Sequence, residues 1–255
     1  MPAYKMFGKG PIKVLALHNW FCDSSIYEPL LPYLDPKKFS FLFLDLRGYG
    51  VAKDFKGSYT LDEAVKDALS LVHTQGWKDF HLIGHSMGSF LAQKIAFEHK
   101  ARIKSLVALS PIPASGSPKS PELLTFLEEA ALHCDKNAFE CIHSLDNRRC
   151  SDYIAQSMVQ KWRHVSLPEA RLSYLHMINS SNFSNKVQGL TTPMLVLFGE
   201  QSPEEGEDTL KTTFVKWYPN LKIRPFQNAG HFLLQESPLH TASVISKFLE
   251  ENQAV

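Results

Sequence analysis

The sequence predicts an α/β fold in which a doubly wound, mostly parallel sheet carries a helical cap insertion. Short apolar segments bounded by turn-formers alternate with amphipathic helical segments as far as Pro111. Helical stretches without a convincing strand then run to about Gln188, and the alternation resumes from there to the C-terminal end. The expected divisions are a first core part, 1–115, a cap insertion, 116–188, and a second core part, 189–255.

The elements follow in order. "KVLAL" (Lys13 to Leu17) and "FSFLFLDL" (Phe39 to Leu46) are continuous apolar runs, the pattern of strands covered on both faces. Between them "SIYEPLLPYL" has helical spacing. In "TLDEAVKDALSLVHTQG", Thr60 and Glu63 form a capping box, apolar positions recur every three or four residues, and Gly76 ends the helix. "FHLIGH" reads as a strand, "SMGSFLAQKIAFEHK" as a helix and "IKSLVALSP" as a strand. The cap holds helical stretches such as "PELLTFLEEAALH" and "CSDYIAQSMVQKW". "PMLVLFGE" and "LKIRPFQ" are the last strands, separated by a helix through "DTLKTTFVKWYP" and followed by the helix "TASVISKFLEEN".

Composition narrows the function. With 27 basic and 26 acidic residues the chain has no electrostatic footprint for nucleic acid or an anionic membrane, so the expected partner is a small molecule. No apolar run reaches the length of a membrane span, and the N-terminus lacks the pattern of a signal peptide. A cytoplasmic protein with reduced cysteines is expected, and the sequence leaves its oligomeric state open. Cys134, Cys141 and Cys150 lie near His133 and His143, but their spacing fits no zinc motif with paired ligands, so no metal is expected. Phosphate loops and dinucleotide fingerprints are absent, and no cofactor is implied.

Gly84-His85-Ser86-Met87-Gly88 matches G-x-S-x-G between a strand and a helix. A sharp turn there presents the Ser86 hydroxyl at the C-terminal edge of the sheet, and glycines let the neighbouring backbone come close. With this motif the chain resembles the α/β-hydrolase superfamily, serine-nucleophile branch, over nearly its full length. The resemblance implies His231, in "NAGHFLLQESP", as general base, and the backbone N–H groups of Trp20 and Met87 as the oxyanion hole. Asn19 stands where glycine is common, and Asn19 and His85 are the expected substrate-binding neighbours. "DLRGYG" resembles a further family landmark, with Asp45 and Arg47 expected to pair and fix the loop. The usual positions of the triad acid hold Ser202 and Ser110 instead. Glu200 is the nearest candidate, Glu204, Glu205, Glu207 and Asp208 are alternatives, and a Ser-His dyad is a third arrangement.

The expected function is hydrolysis of a small apolar carboxylic ester, lactone or thioester through an acyl-enzyme on Ser86. In the cap, Leu123, Phe126, Leu127, Ile154, Met158, Trp162, Leu175 and Met177 supply apolar side chains, expected mostly to form the insertion's own core. Two other classes stay open. "NWFCDSSIYEPL" bears a faint similarity to cofactor-free dioxygenases of the same fold, although Phe21 or Cys22 stands where they have a histidine. The missing aspartate also keeps alive a catalytically weak ligand-binding protein.

Overall fold

The computed structural model describes residues 3–202 and 207–253. Seven strands form one sheet: β1 (Ala3–Phe7), β2 (Ile12–Leu17), β3 (Phe39–Asp45), β4 (Phe80–His85), β5 (Ile103–Leu109), β6 (Met194–Gly199) and β7 (Leu221–Phe226). Their order is β1-β3-β2-β4-β5-β6-β7. Only β1 runs antiparallel to its neighbour; the other pairs are parallel. β3 and β4 are buried along their whole length, as their unbroken apolar runs require.

The helices are α1 (Leu61–Thr74), α2 (Met87–Glu98), α3 (Pro121–Leu132), α4 (Asp135–Leu145), α5 (Asp152–Val165), α6 (Pro168–Ser180), α7 (Ser184–Val187), α8 (Glu207–Leu210), α9 (Leu233–Glu236) and α10 (Pro238–Glu251). Thr60 caps α1 by accepting the Glu63 N–H, and Glu63 reaches back to the Tyr59 N–H, one residue earlier than the box requires. The segment read as helical between β2 and β3 is a 3₁₀ helix, Ser24–Tyr33. Pro29 and Pro32 lack the N–H groups that α-helical bonding needs there.

Two apolar layers cover the sheet. One packs α10 and the 3₁₀ helix on one face; the other packs α1, α2 and the cap helices on the opposite face. Trp162 is fully buried inside the cap against Trp20 and Phe21, with ring centroids 4.7 Å away in both cases.

One sequence expectation needs correcting. Asp45 and Arg47 do not pair. Asp45 is buried and accepts the backbone N–H groups of Ser24 (2.7 Å) and Val51 (2.9 Å), so its charge is held by the loop itself. A side chain at Gly50 would lie 2.2 Å from Asp45 Oδ2, which is why glycine follows Tyr49. Arg47 turns outward to Asp67, with Nε 2.6 Å from Oδ2 and Nη2 2.9 Å from Oδ1.

Candidate active site

Ser86 occupies the turn between β4 and α2 at φ 52, ψ −114, a conformation that an L-residue enters only under strain. The surroundings hold it there. Its N–H donates to Leu109 O at 2.9 Å, and its carbonyl accepts the Ser89 N–H and hydroxyl. A Cβ at Gly84 would stand 2.3 Å from Gly88 O, and one at Gly88 would stand 2.2 Å from Leu17 O. The second glycine therefore brings the start of α2 against the end of β2, where Trp20 follows.

His18, to which the sequence reading gave no role, orients that segment. The Leu46 N–H donates to His18 Nε2 (3.1 Å), so Nε2 is the acceptor and the proton sits on Nδ1. Nδ1–H donates in turn to Asn19 O at 2.7 Å. Because the peptide is trans and planar, holding the Asn19 carbonyl points the Trp20 N–H the opposite way. Two further bonds fix Trp20: its indole N–H donates to Arg171 O (2.8 Å), and its carbonyl accepts the Tyr49 hydroxyl (2.9 Å). Asn19 does not adopt a positive φ, so the segment turns without the left-handed backbone that glycine would supply. The Asn19 amide is buried, with no hydrogen-bond partner on Oδ1 or Nδ2.

His231 is 3% exposed, and its backbone is clamped on both sides. Its carbonyl accepts His85 Nε2–H and the Ser110 hydroxyl, both at 2.9 Å. The Glu236 carboxylate takes the N–H groups of Gly230 (2.9 Å) and Phe232 (3.1 Å) and pairs with Arg149 of the cap. The His231 and His85 rings lie 5.1 Å apart, which brings the histidine loop over the residue preceding Ser86. Ser110, one of the two serines found in place of an acid, thus supports the histidine loop. Nothing in the sequence foretells this, because the contact spans 121 residues. Glu236, five positions after His231 on the short helix α9, carries a fainter signal.

His85 donates through Nε2 while its buried Nδ1 has no partner among the described residues, and burial together with the neighbouring His231 pushes its pKa down to about 3, so it is neutral. Burial lowers His18 and His81 as well. All three bind protons more weakly folded than unfolded, so stability rises with pH from the folded pKa up to the ordinary value near 6.5. Thermal melts are expected to shift downward as pH falls from about 6.5 toward 4, and His85→Gln to flatten that slope. Melts independent of pH over this range would contradict the assignment of a neutral His85.

Ser86 and Trp20 line a cavity of about 620 Å³ that also meets Leu123, Phe126, Leu127 and Leu175 of the cap, with Lys119 and Arg148 among its polar residues. Asn19 lines a second cavity of about 440 Å³ with Ile154, Met158 and Phe232, and Phe21 borders both. Six of the eight apolar cap residues singled out in the sequence therefore face a cavity; Trp162 and Met177 are buried and line neither. Fully buried His85 also lines neither and packs its ring against that of His231. Glu200 is exposed just beyond β6, with its N–H bonded to Phe226 O (3.1 Å). Ser202 is buried, and among the described residues its hydroxyl has no partner. Glu204 and Glu205 lie outside the described residues, the Glu207 side chain is not described, and Asp208 is exposed.

A strained serine at the C-terminal edge of a mostly parallel sheet, beneath a helical cap, defines a class. The family model for the alpha/beta hydrolase fold matches residues 14–238. The chain belongs to the α/β-hydrolase family. It is 27% identical over 231 residues to a pimeloyl-[acyl-carrier protein] methyl ester esterase of Legionella pneumophila, covering 88% of this chain and 89% of the relative. A 2-(acetamidomethylene)succinate hydrolase of Mesorhizobium japonicum is 23% identical, over 95% of this chain and 89% of its own. Among solved structures, a hydrolase from Oleispira antarctica superposes with a TM-score of 0.83 at 19% identity, over 98% and 95% of the two chains. Among the described residues, no helix is long and apolar enough to cross a membrane.

Proposed function

We propose that the chain is a serine hydrolase that cleaves a small carboxylic ester, lactone or thioester with an apolar acyl part. The observation that carries this reading is the strained Ser86 on the wall of the larger cavity, next to a Trp20 peptide turned by His18. Relatives whose names describe ester and other hydrolytic activities support the same class.

In this mechanism the Ser86 hydroxyl oxygen attacks the substrate carbonyl while His231 takes its proton. The oxygen that becomes negative is received by the N–H groups of Trp20 and Met87, donors fixed before the reaction begins. Collapse of the tetrahedral intermediate expels the alcohol or thiol, which leaves with the proton held by His231. Water then attacks the acyl-serine and gives His231 a proton, which returns to the Ser86 oxygen as the acid departs. The acyl part lies among Phe126, Leu127 and Leu175.

Glu200 is carried here as the acid that orients His231, with Glu204, Glu205, Glu207 and Asp208 as alternatives. Each is tested by its neutral amide variant with p-nitrophenyl butyrate as substrate. The acid's variant is expected to lose about 10⁴-fold in turnover, and the others to stay near wild type. A set in which every variant keeps full turnover supports the dyad. Treatment with a fluorophosphonate followed by peptide mapping is expected to label Ser86; a wild-type protein that neither labels nor hydrolyses the ester overturns the proposed function.

A further inference from the structure

The turn between α4 and α5 brings together three side chains that are far less suggestive in the sequence. His143 lies in the last turn of α4, Asp146 at its C-terminal cap, and Cys150 just before α5. One ligand atom from each lies within 4.8 Å of the other two. Asn147 and Arg148, both at φ 56, make the reversal that closes this gap. The spacing H-x₂-D-x₃-C matches no paired-ligand pattern, so the convergence belongs to the fold.

Asp146 gives the first reason to expect a cation. Its side chain belongs to a residue only 2% exposed, and its oxygens accept the N–H groups of Cys150 (2.7 Å) and Arg149 (3.3 Å). Among the described residues no cationic side chain pairs with it; Arg149 is spent on Glu236 and on Asn228 O. A buried carboxylate beside an imidazole and a thiol, with no lysine or arginine on it, is costly, and buried charges are ordinarily paired or bound to a metal.

His143 gives the second. Its Nδ1 faces Cys150 Sγ at 3.9 Å, and the edge of the Phe139 ring packs against the imidazole at 4.5 Å between centroids. On the far side, Nε2 is buried and lies 3.2 Å from Asp152 Oδ1, at an angle too bent for a hydrogen bond. A carboxylate 3.2 Å from the second nitrogen is near enough to orient a metal-binding histidine once the ring turns to donate its N–H.

The geometry points to a site for a zinc-type divalent cation held by His143, Asp146 and Cys150, with Asp152 orienting the imidazole. A nitrogen, oxygen and sulfur donor set suits zinc better than magnesium or calcium, which take oxygen ligands. Three protein ligands leave a fourth position for water. His143 lines the larger cavity, and Asp146 and Cys150 the smaller, so the cation stands in the wall between them. Binding forms the sulfur–zinc bond as the Cys150 S–H bond breaks, and the proton goes to solvent. Because the thiol must give up its proton to bind the cation, affinity falls as pH is lowered. This site is independent of ester hydrolysis at Ser86.

The test uses the full chain, stripped with a chelator and titrated with Zn²⁺ against a chromophoric competitor, and with Co²⁺ by absorption spectroscopy. One equivalent of zinc is expected to bind, and cobalt to give a thiolate charge-transfer band. Cys150→Ser is expected to abolish the band. Asp152→Asn, at a side chain 81% exposed and therefore safe for folding, is expected to weaken zinc about 10- to 100-fold. Cys134→Ser is expected to change neither. Absence of the cobalt band in the wild type, or zinc affinity unaltered by Asp152→Asn, overturns the site, as does a band that survives Cys150→Ser or disappears with Cys134→Ser.

Discussion

Ser86→Ala is expected to lower turnover of p-nitrophenyl butyrate by on the order of 10⁶-fold while leaving KM near the wild-type value. The split follows from geometry. The proposed substrate contacts of Phe126, Leu127, Leu175 and the rest of the larger cavity survive the change, and the proposed donors at Trp20 and Met87 stay in place. What disappears is the oxygen proposed to form the acyl bond. Folding is expected to be unimpaired, because alanine inherits the same φ of 52 that serine already endures. Ser86→Gly should go further and raise the melting temperature, since glycine occupies that region without strain. Activity that persists in Ser86→Ala would move the chemistry to another group.

Gly88→Ala is the second large effect, and it strikes folding and turnover together. The added methyl group would lie 2.2 Å from Leu17 O and 2.7 Å from His18 O, and both are backbone atoms that cannot rotate away. The start of α2 must retreat from the end of β2, at an overpacking cost of about 1 to 3 kcal/mol. The same retreat separates Met87 from Trp20, the two N–H groups assigned to the oxyanion. A misplacement of about 1 Å in a reacting constellation costs about 100-fold. A lower melting temperature together with turnover reduced by at least that factor is expected. A variant with wild-type turnover would show that the two N–H groups do not act as a pair.

How far the sequence revealed this molecule depends on the distance over which each signal acts. β3 and β4 were legible because burial on both faces writes itself as an unbroken apolar run. The G-x-S-x-G turn was legible because its glycines answer a local steric demand. β1 escaped notice: "AYKMF" is a five-residue edge strand whose identity comes from pairing with β3. The Arg47 partner was misjudged because Asp67 lies 20 residues away, on a helix that only the fold brings near. His18 and Glu236 act on backbone atoms, so the side-chain chemistry of the motifs gave them no role. The proposed acid is the least legible part, since a loop carboxylate leaves no periodic trace in a sequence.

The indole of Trp20 donates its N–H to Arg171 O, across the boundary between core and cap. Arg171 is itself 2% exposed and spends its guanidinium on the carbonyls of Ala131, Leu132 and Ser166 while lying over the Trp162 ring. The cap is therefore not an interchangeable module. Transplanting another family member's insertion onto this sheet would strand a buried indole N–H of a residue that lines the cavity with Ser86, unless the graft brought a carbonyl to the same point. A cap grafted onto this core must therefore preserve one hydrogen bond, whereas a cavity-facing side chain can be exchanged without touching it.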